Sequence, residues 1–345
     1  MGSYLTNINE IGENQYIDLK GKAGLIKIQK NEDTKEVIIY TDEQFGSVGQ
    51  SHCDVMALLS LFFNKGIELT RVLTFGNGSD YYPQELNKYS IKISKEGYDD
   101  KLFEKYFIRI NNLCSSSNTN KNRKGKNLAN LLSIYKNALL LYPKFSEESY
   151  LDLIKILDAQ RHKKDSGVWS FPEKVIPILS KKFVRSFYKE IRKIEYFRTC
   201  HIDIANKFFS KNYIKIKNAV KNISVYSAEE YKFMYAVLFS LYEYRSKNIH
   251  DGFMFPSKIK GIYKGNGNEP LNYLDGSFGE GYMIESEPFK SVDIHKCLNM
   301  RYENIKGRNR KNFRDYKKLY LLLPKWNFLN LITREVIFYH LKRLK

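Results

Sequence analysis

Apolar side chains recur every three or four residues along four successive segments in the middle of the chain. This spacing places them on one face of an α-helix, where they need a partner surface to exclude water. Ser146 suits the N-cap of the first segment, and the second, with Pro172 near its first turn, is interpreted as one helix through Ile194. The third and fourth span about 199–222 and 228–250. Four amphipathic helices with short connections predict a helical bundle.

The fourth segment ends with an arginine and a histidine five residues apart. Arg245 continues the apolar stripe of Met234, Leu238 and Leu241, so a guanidinium occupies a position that the helical period assigns to a packed face. An arginine there binds a phosphate, a carboxylate or a partner surface. His250 lies in the predicted last turn, where free carbonyl groups favour the protonated imidazole. The pair is therefore a candidate for acid-base chemistry beside a fixed cation.

The spacing of this pair sets a geometric condition. Positions five apart differ by roughly 140° around a regular helix, so Arg245 and His250 do not share a face. A widened last turn, the reach of Arg245, or a second copy of the chain would bring them together. Asn248, three residues after Arg245, does share its face, and Gly252 is predicted to end the helix. Without further context, such a pair is most often a snorkelling cation and a helix cap.

Residues 242–252 read Tyr-Glu-Tyr-Arg-Ser-Lys-Asn-Ile-His-Asp-Gly. This segment resembles the signature of the HEPN superfamily, whose members carry R-x4-6-H at the end of a helix in a compact helical bundle. The pattern Tyr-x-x-Arg-Ser-Lys-x-x-His-x-Gly is similar to the Apea-like HEPN branch of bacterial defence proteins, in which a serine such as Ser246 commonly follows the arginine. The resemblance covers roughly residues 127–252, with looser support to about residue 300.

The resemblance implies a metal-independent endoribonuclease that uses no cofactor. In that chemistry the ribose 2′-hydroxyl attacks the adjacent phosphate, which requires a base, an acid for the leaving 5′-oxygen and positive charge at the transition state. By resemblance, His250 is the acid or base and Arg245 the clamp on the phosphate. Two copies usually meet across the motif-bearing helices in this superfamily, so a homodimer with a composite site is implied.

Three further residues are assigned supporting roles beside this pair. Ser246 and Asn248 lie between the arginine and the histidine, and Asp158 lies in the first bundle helix, where relatives tend to carry an acid. For Asp158 the alternative interpretation, and the favoured one on sequence alone, is a solvated surface acid.

The chain carries a formal net charge of +19, which favours polyanionic partners and above all RNA. From Arg301 to Lys345 there are 13 Lys and Arg residues against 3 Asp and Glu residues, a surplus of 10. The predicted RNA-binding residues within this stretch are Arg308, Arg310, Lys311 and Arg314. Cations interleaved with an aromatic residue suit a surface that follows phosphates and stacks bases. A solvated helix face in a lysine-rich composition is the alternative.

The region before the bundle has a different pattern. Residues 25–28 and 37–40 predict a β-hairpin, and residues 54–63 predict a short apolar helix ended by Gly66. We therefore expect an α+β N-terminal module followed by an all-α HEPN helical bundle, with the chain mainly α overall. The predicted divisions are an α+β module at 1–112, a polar linker or loop at 113–127, the bundle at 128–300 and a basic helical segment at 301–345.

Several classes of protein are disfavoured by what the sequence lacks. No apolar run approaches the ~20 residues that span a bilayer, and the start has no leader pattern, so we expect a cytoplasmic protein with no membrane partner. The cysteines Cys53, Cys114, Cys200 and Cys297 have no paired spacing, which indicates neither a disulfide framework nor a zinc site. The glycine-rich segments lack the Lys-Ser/Thr of a P-loop. No metal or cofactor is expected.

Three functions remain as expectations. The first is a metal-independent endoribonuclease in bacterial antiviral defence or toxin-like growth arrest. Its activity is expected to depend on an activating trigger or on a regulatory partner that inhibits it. The second is a non-catalytic RNA-binding HEPN protein, in which Arg245 holds a dimer together and His250 caps its helix. The third is an adaptor for a protein partner or an anionic membrane, which predicts no salt-dependent RNA binding.

Overall fold

The computed structural model describes residues 2–6, 8–11, 16–21, 24–30, 37–41, 55–73, 91–93, 100–142, 146–160, 168–193, 202–251, 258–263, 270–272, 322–324 and 326–344. For the strands and for residues 100, 146–147, 190–191, 193, 247–251 and 327 this description covers the backbone alone. The described residues are mainly helical. They belong to two compact units, of which unit 1 comprises Met1–Lys144 with His340–Lys345 and unit 2 comprises Phe145–Tyr339. This division differs from the predicted start of the bundle at residue 128.

The strands of unit 1 pair in two sheets. The strands are β1 (Gly2–Thr6), β2 (Ile8–Ile11), β3 (Tyr16–Gly21), β4 (Gly24–Lys30), β5 (Val37–Thr41), β6 (Leu69–Leu73) and β7 (Ile91–Ile93). The larger sheet has the order β3-β4-β5-β1-β6, and β2 pairs with β7 in parallel. β4 and β5 are antiparallel with Ile28 opposite Ile39, which agrees with the hairpin predicted from the sequence.

Helix α1 (Val55–Phe63) ends at a left-handed residue that is not the predicted glycine. Asn64 has a φ of 53°, a conformation that asparagine adopts more readily than most residues. The next amide, of Lys65, then donates to the carbonyl of Ser60 at 3.3 Å and closes the end of the helix. Position 66 requires a glycine because the main chain at Leu140 passes close to it. A Cβ at Gly66 would lie 2.8 Å from the backbone nitrogen of Leu140.

A capped helix occupies most of the segment that we predicted to be a polar linker. Helix α2 (Asp100–Cys114) ends within it, and helix α3 (Thr119–Leu141) begins within it. Asn118 Oδ1 accepts hydrogen bonds from two amides of the first turn of α3, at 3.1 and 3.2 Å. Gly125 lets the two helices approach closely, because a Cβ there would lie 2.6 Å from the Cys114 nitrogen. The linker prediction is therefore corrected: this turn and first part of α3 look polar because most of their side chains face solvent.

Unit 2 contains the helices predicted for the bundle. The described helices are α4 (Ser146–Asp158), α5 (Phe171–Val175), α6 (Lys181–Lys193), α7 (Asp203–Lys211), α8 (Tyr213–Ala219) and α9 (Glu229–Asp251), with a 3-10 turn at Ile223–Ser227. A further helix, α10 (Trp326–Lys342), belongs to unit 2 as far as Tyr339. The predicted helix beginning at Ser146 is confirmed, and the fourth predicted helix is confirmed to within one residue at each end.

Two of the predicted helices are interrupted. Pro177 lacks an amide proton, and the chain forms a tight turn there, with the Ile178 amide donating to the Val175 carbonyl at 3.0 Å. Ser180 then starts α6 by accepting a hydrogen bond from the Phe183 amide at 3.1 Å. The prediction of one continuous helix from Pro172 to Ile194 is therefore wrong. The third predicted helix is likewise divided, into α7 and α8 on either side of residue 212.

Two short strands follow α9. β8 (Lys258–Tyr263) and β9 (Pro270–Asn272) pair antiparallel, with Ile259 opposite Leu271. None of the helices within the described ranges has both the length and the apolar content required to cross a bilayer.

The crowding at Gly66 predicts a stability defect on substitution. We expect Gly66→Ala to lower the free energy of unfolding by about 1–3 kcal/mol, because the added methyl group meets main-chain atoms of Leu139 and Leu140 that cannot rotate away. Chemical denaturation followed by circular dichroism measures the change. The neighbouring Lys65→Ala is the matched control, because Lys65 is exposed. Equal stability of the two variants would contradict the close approach.

Candidate functional site

Helix α9 positions the candidate site. Nine consecutive side chains, from Phe233 to Leu241, are buried, so the middle of this helix is enclosed on all sides. The elements α4, α5, α6 and α7 and the 3-10 turn contact it. The sequence predicted one apolar face, and the structure instead surrounds α9 with its neighbours. A helix enclosed in this way holds the residues that follow it in a defined position.

Arg245 lies where the apolar stripe predicted it, at the point where α9 leaves the core. Met234, Leu238 and Leu241 are fully buried, and the side chain of Arg245 is 21% exposed. The interpretation that a guanidinium occupies a packed position is therefore confirmed. A group of this kind requires an anionic partner because desolvation of an unpaired charge is costly.

Asp158 is the anionic partner of Arg245. Its Oδ2 lies 3.0 Å from Nη2 of Arg245, and its side chain is 12% exposed. The interpretation of Asp158 as a solvated surface acid is wrong, because the last residue of α4 faces α9 and not the solvent. The structure thus brings together two residues that the sequence assigned to one site. Ion pairs with this degree of burial fix the orientation of a guanidinium more firmly than surface pairs do.

Buried tyrosines hold the two helices in this register. The rings of Tyr150 on α4 and Tyr244 on α9 meet edge to face, with their centroids 5.8 Å apart. The Tyr150 hydroxyl donates to the carbonyl of Pro324 at 2.8 Å, and full burial raises the pKa of Tyr150 well above its usual value. Trp326 Nε1 donates to the Ser149 hydroxyl at 2.7 Å. The position of Asp158 therefore depends on contacts at the opposite end of α4.

An aromatic ring also lies close to Arg245. The guanidinium carbon is 6.0 Å from the centre of the Tyr242 ring, within the range of a cation–π contact. Tyr242 in turn packs against Phe171, with the ring centroids 5.1 Å apart. Within the described part of the chain, Arg245 Nε is buried and has no hydrogen-bond acceptor. Arg245 is thus held by a carboxylate and a ring, with donor capacity beyond that pair.

His250 lies in the last turn of α9, which ends at Asp251, as predicted. The helix is regular from Arg245 to His250, so a widened last turn does not bring the two residues to one face. Ser246 is partly exposed beside Arg245. For Asn248 and His250 the structure gives the backbone position alone, and Gly252 lies outside the described residues. A second copy of the chain or the reach of Arg245 remains as the means of bringing the pair together.

The predicted RNA-binding residues Arg308, Arg310, Lys311 and Arg314 also lie outside the described residues. Among the residues that are described, no cluster of three or more His, Cys, Asp and Glu side chains could hold a metal ion. Cys114, the described cysteine, is a buried thiol whose burial raises its pKa.

The sequence reasoning missed the aromatic residues next to this site. Tyr242 belongs to the motif segment but has no predicted role there, and Trp169 lies outside every predicted motif. Trp169 packs at 4.6 Å against Phe239 of α9 and at 6.0 Å against Phe208 of α7. A signal was present, because Trp169 is one of two tryptophans in the chain and precedes the first turn of α5.

Comparison with protein-family models, with curated proteins and with solved structures found no match to this chain.

The burial of the Arg245–Asp158 pair predicts a stability difference between two aspartates of α4. We expect Asp158→Asn to lower the free energy of unfolding by about 2 kcal/mol, because the Arg245 charge would remain partly buried without its partner. Asp152→Asn is the matched control, since its partner Lys155 is 56% exposed, and we expect a cost below about 0.5 kcal/mol. Urea denaturation followed by circular dichroism measures both variants.

A double-mutant cycle isolates the pair itself. Asp158→Asn combined with Arg245→Met should cost less than the sum of the two single changes, because removing both partners leaves no uncompensated charge. Strict additivity of the two costs would show that the two side chains have no interaction energy with each other.

Proposed function

We propose that this protein is a metal-independent endoribonuclease of the HEPN type. The observation that carries the proposal is the ion pair of Arg245 with Asp158, in which Nη2 and Oδ2 lie 3.0 Å apart. Arg245 lies near the end of α9, five residues before His250 on the same helix. A cation oriented before substrate binds is what transition-state stabilisation at a phosphate requires. The proposal also rests on the resemblance of residues 242–252 to the HEPN signature and on the net charge of +19.

The proposed reaction transfers a phosphoryl group within the RNA strand. The 2′-oxygen forms a bond to the adjacent phosphorus, the bond to the 5′-oxygen breaks, and the products are a 2′,3′-cyclic phosphate and a free 5′-hydroxyl. A base accepts the proton of the 2′-hydroxyl and an acid supplies one to the departing 5′-oxygen. In this proposal His250 transfers one of these protons, and Arg245 compensates the charge of the phosphorane-like transition state. Ser246, Asn248 and Asp158 support them.

The proposed active form is a homodimer. On a regular helix, the positions of Arg245 and His250 differ by roughly 140° around the axis, so Arg245 of one copy and His250 of another would complete one site. In the proposed biological role the enzyme acts in the bacterial cytoplasm, in antiviral defence or toxin-like growth arrest. The α+β N-terminal module at 1–112 would then sense a trigger or bind a regulatory partner, since unregulated cleavage would poison the host.

A second candidate is a non-catalytic RNA-binding protein of the same type. The ion pair between Arg245 and Asp158 favours it, because a guanidinium already paired with a carboxylate can serve to stabilise the bundle alone. In that case His250 caps α9 through its position near the carbonyl end of the helix. The two candidates differ in what happens to RNA and agree that RNA is bound.

Cleavage with defined end groups tests the proposal. Purified wild type, Arg245→Ala and His250→Ala are incubated with mixed RNA in EDTA, and the fragment ends are determined. We expect cleavage by wild type alone, leaving 2′,3′-cyclic phosphates, and a loss of at least 100-fold in each variant. His250→Ala should retain its fold and its affinity for RNA.

The second candidate predicts a different result from the same proteins. Neither wild type nor variants would cleave RNA, and His250→Ala would lose about 1 kcal/mol of stability while binding RNA as before. Cleavage that EDTA abolishes would contradict the metal-independent chemistry. A rate of cleavage by purified wild type that an extract of infected cells does not raise would contradict the proposed trigger.

A further inference from the structure

A partly exposed aromatic surface lies beside α9, next to the Arg245 site in unit 2. The indole of Trp169 is nearly parallel to the ring of Phe208, with 5° between the planes and 6.0 Å between the centroids. Phe239 of α9 is fully buried and supports both rings, at 4.6 Å from Trp169 and 4.7 Å from Phe208. Trp169 and Phe208 each keep part of their surface exposed.

The backbone beneath this surface is fixed. The hydroxyl of Tyr235, a fully buried residue of α9, donates to the carbonyl of Trp169 at 2.5 Å. The indole therefore stays in place against α9 without needing a ligand to order it. A preorganised ring binds a planar group at a low entropic cost.

A cation lies over the indole. Lys215 Nζ is 5.4 Å from the centre of the Trp169 ring, and the Lys215 side chain is exposed. Residues 203–227, which include α7 and α8, contain five lysines and a single acid, Asp203, and Glu173 of α5 accepts a hydrogen bond from the Lys221 amide at 2.7 Å. These lysines, all exposed, are Lys207, Lys211, Lys215, Lys217 and Lys221. Tyr213, two residues before Lys215, is 45% exposed, but it lies about 200° around α8 from Lys215 and its ring packs against Phe209, with the centroids 6.5 Å apart.

We propose that Trp169 and Lys215 form a nucleotide-binding platform for single-stranded RNA. The inference rests on the proposed RNA substrate and assigns the place where the strand is held. A base stacks on the exposed part of the indole, and the flexible Lys215 ammonium moves from the ring to the phosphate. Alternation of rings and cations is what proteins use to bind single strands, because every base has a face that stacks and every nucleotide has a charge.

Packed aromatic side chains connect the platform to the Arg245 site. Phe171 follows Trp169 by two residues and packs against Tyr242, whose ring lies 6.0 Å from the Arg245 guanidinium carbon. Phe239 and Tyr242 are three residues apart on α9, as are Tyr242 and Arg245, so each pair lies about one turn apart. These links pass through Phe171 and Phe239, which are fully buried, so they fix the position of Trp169 relative to Arg245 and do not form an exposed path along α9.

The same surface fits a membrane less well. An interfacial membrane helix needs a long apolar face, whereas α8 has 7 residues and is about 10 Å long. Exposed Tyr213 and Ile214 at its start are flanked by lysines on both sides. A surface that carries both lysines and aromatic rings favours a polyanion with planar bases over a lipid surface.

Binding measurements on the full chain test the platform. The parent protein carries His250→Ala so that the RNA stays intact, and the probe is a fluorescein-labelled adenylate decamer whose anisotropy reports binding. We expect Trp169→Leu to weaken binding by about tenfold, because leucine retains apolar bulk but does not stack. Lys215→Gln should lower the slope of log Kd against log salt by about 0.7, the value for one phosphate contact on a single strand. Lys215 is exposed, so this variant should fold normally.

Matched controls come from α6. Phe183→Leu removes a partly exposed ring that also stacks on a neighbour, Phe187 at 6.2 Å, and Lys189→Gln removes an exposed charge. Both should bind RNA like the parent. Intrinsic fluorescence gives a second measurement, since Trp326, the other tryptophan, is 5% exposed and hydrogen-bonded to Ser149. RNA should therefore quench emission in the parent and not in Trp169→Leu.

The outcomes separate this inference from the proposed function. Cleavage by wild type together with unchanged binding by both platform variants would overturn the platform and leave the ribonuclease. Weakened binding by both variants without any cleavage would support the platform and leave a binding protein. Trp169-dependent binding to phosphatidylserine vesicles with no binding to the decamer would overturn the platform as an RNA site.

Discussion

Burial of the middle of α9 is the constraint on which unit 2 depends. Nine consecutive side chains from Phe233 to Leu241 are removed from water, so every side of that helix must be covered by another element. The hydrophobic gain per fully buried large side chain is about 1.5–3 kcal/mol, which makes this enclosure a large part of the stability of the unit. Ser240, the polar residue within the run, satisfies its hydroxyl by donating to the Val237 carbonyl at 2.7 Å. The helices around α9 are thereby placed where its side chains need cover, and the residues that follow the run, from Tyr242 to Ser246, are held in position.

The Arg245–Asp158 pair is a consequence of this enclosure. Arg245 continues a stripe whose preceding members are fully buried, so its charge enters a region of reduced solvation and requires compensation. The compensating carboxylate comes from the last residue of α4, a helix fixed by Tyr150 and Ser149 through contacts with Pro324 and Trp326. Such a pair stabilises the bundle and orients a guanidinium at the same time. The ribonuclease and the structural interpretations therefore use the same geometry, and chemistry at His250 distinguishes them.

Sequence periodicity located the helices but not their interruptions. α4 and α9 were predicted closely because their apolar residues keep one helical period and their ends carry ordinary signals. The helix predicted from Pro172 to Ile194 failed because its apolar spacing continues through Pro177, where the missing amide proton breaks the hydrogen-bond ladder. The linker predicted at 113–127 failed for the opposite reason. Its polar composition reflects exposed side chains on a helix that Asn118 caps. Further along the same helix, the side chains of Leu128, Leu132 and Tyr135 are buried.

The sequence alone determined the candidate residues Arg245 and His250, their order on one helix and the separation of roughly 140° between them, because these follow from local helical geometry. It also determined the basic charge, which is a sum over residues. Tertiary structure decided the partner of Arg245, since Asp158 reaches it only when α4 packs against α9. It decided too that Trp169, Phe208 and Lys215 meet beside α9. Contacts between residues far apart in the chain depend on how helices pack, and side-chain periodicity within one helix carries no information about which residue of another helix will face it.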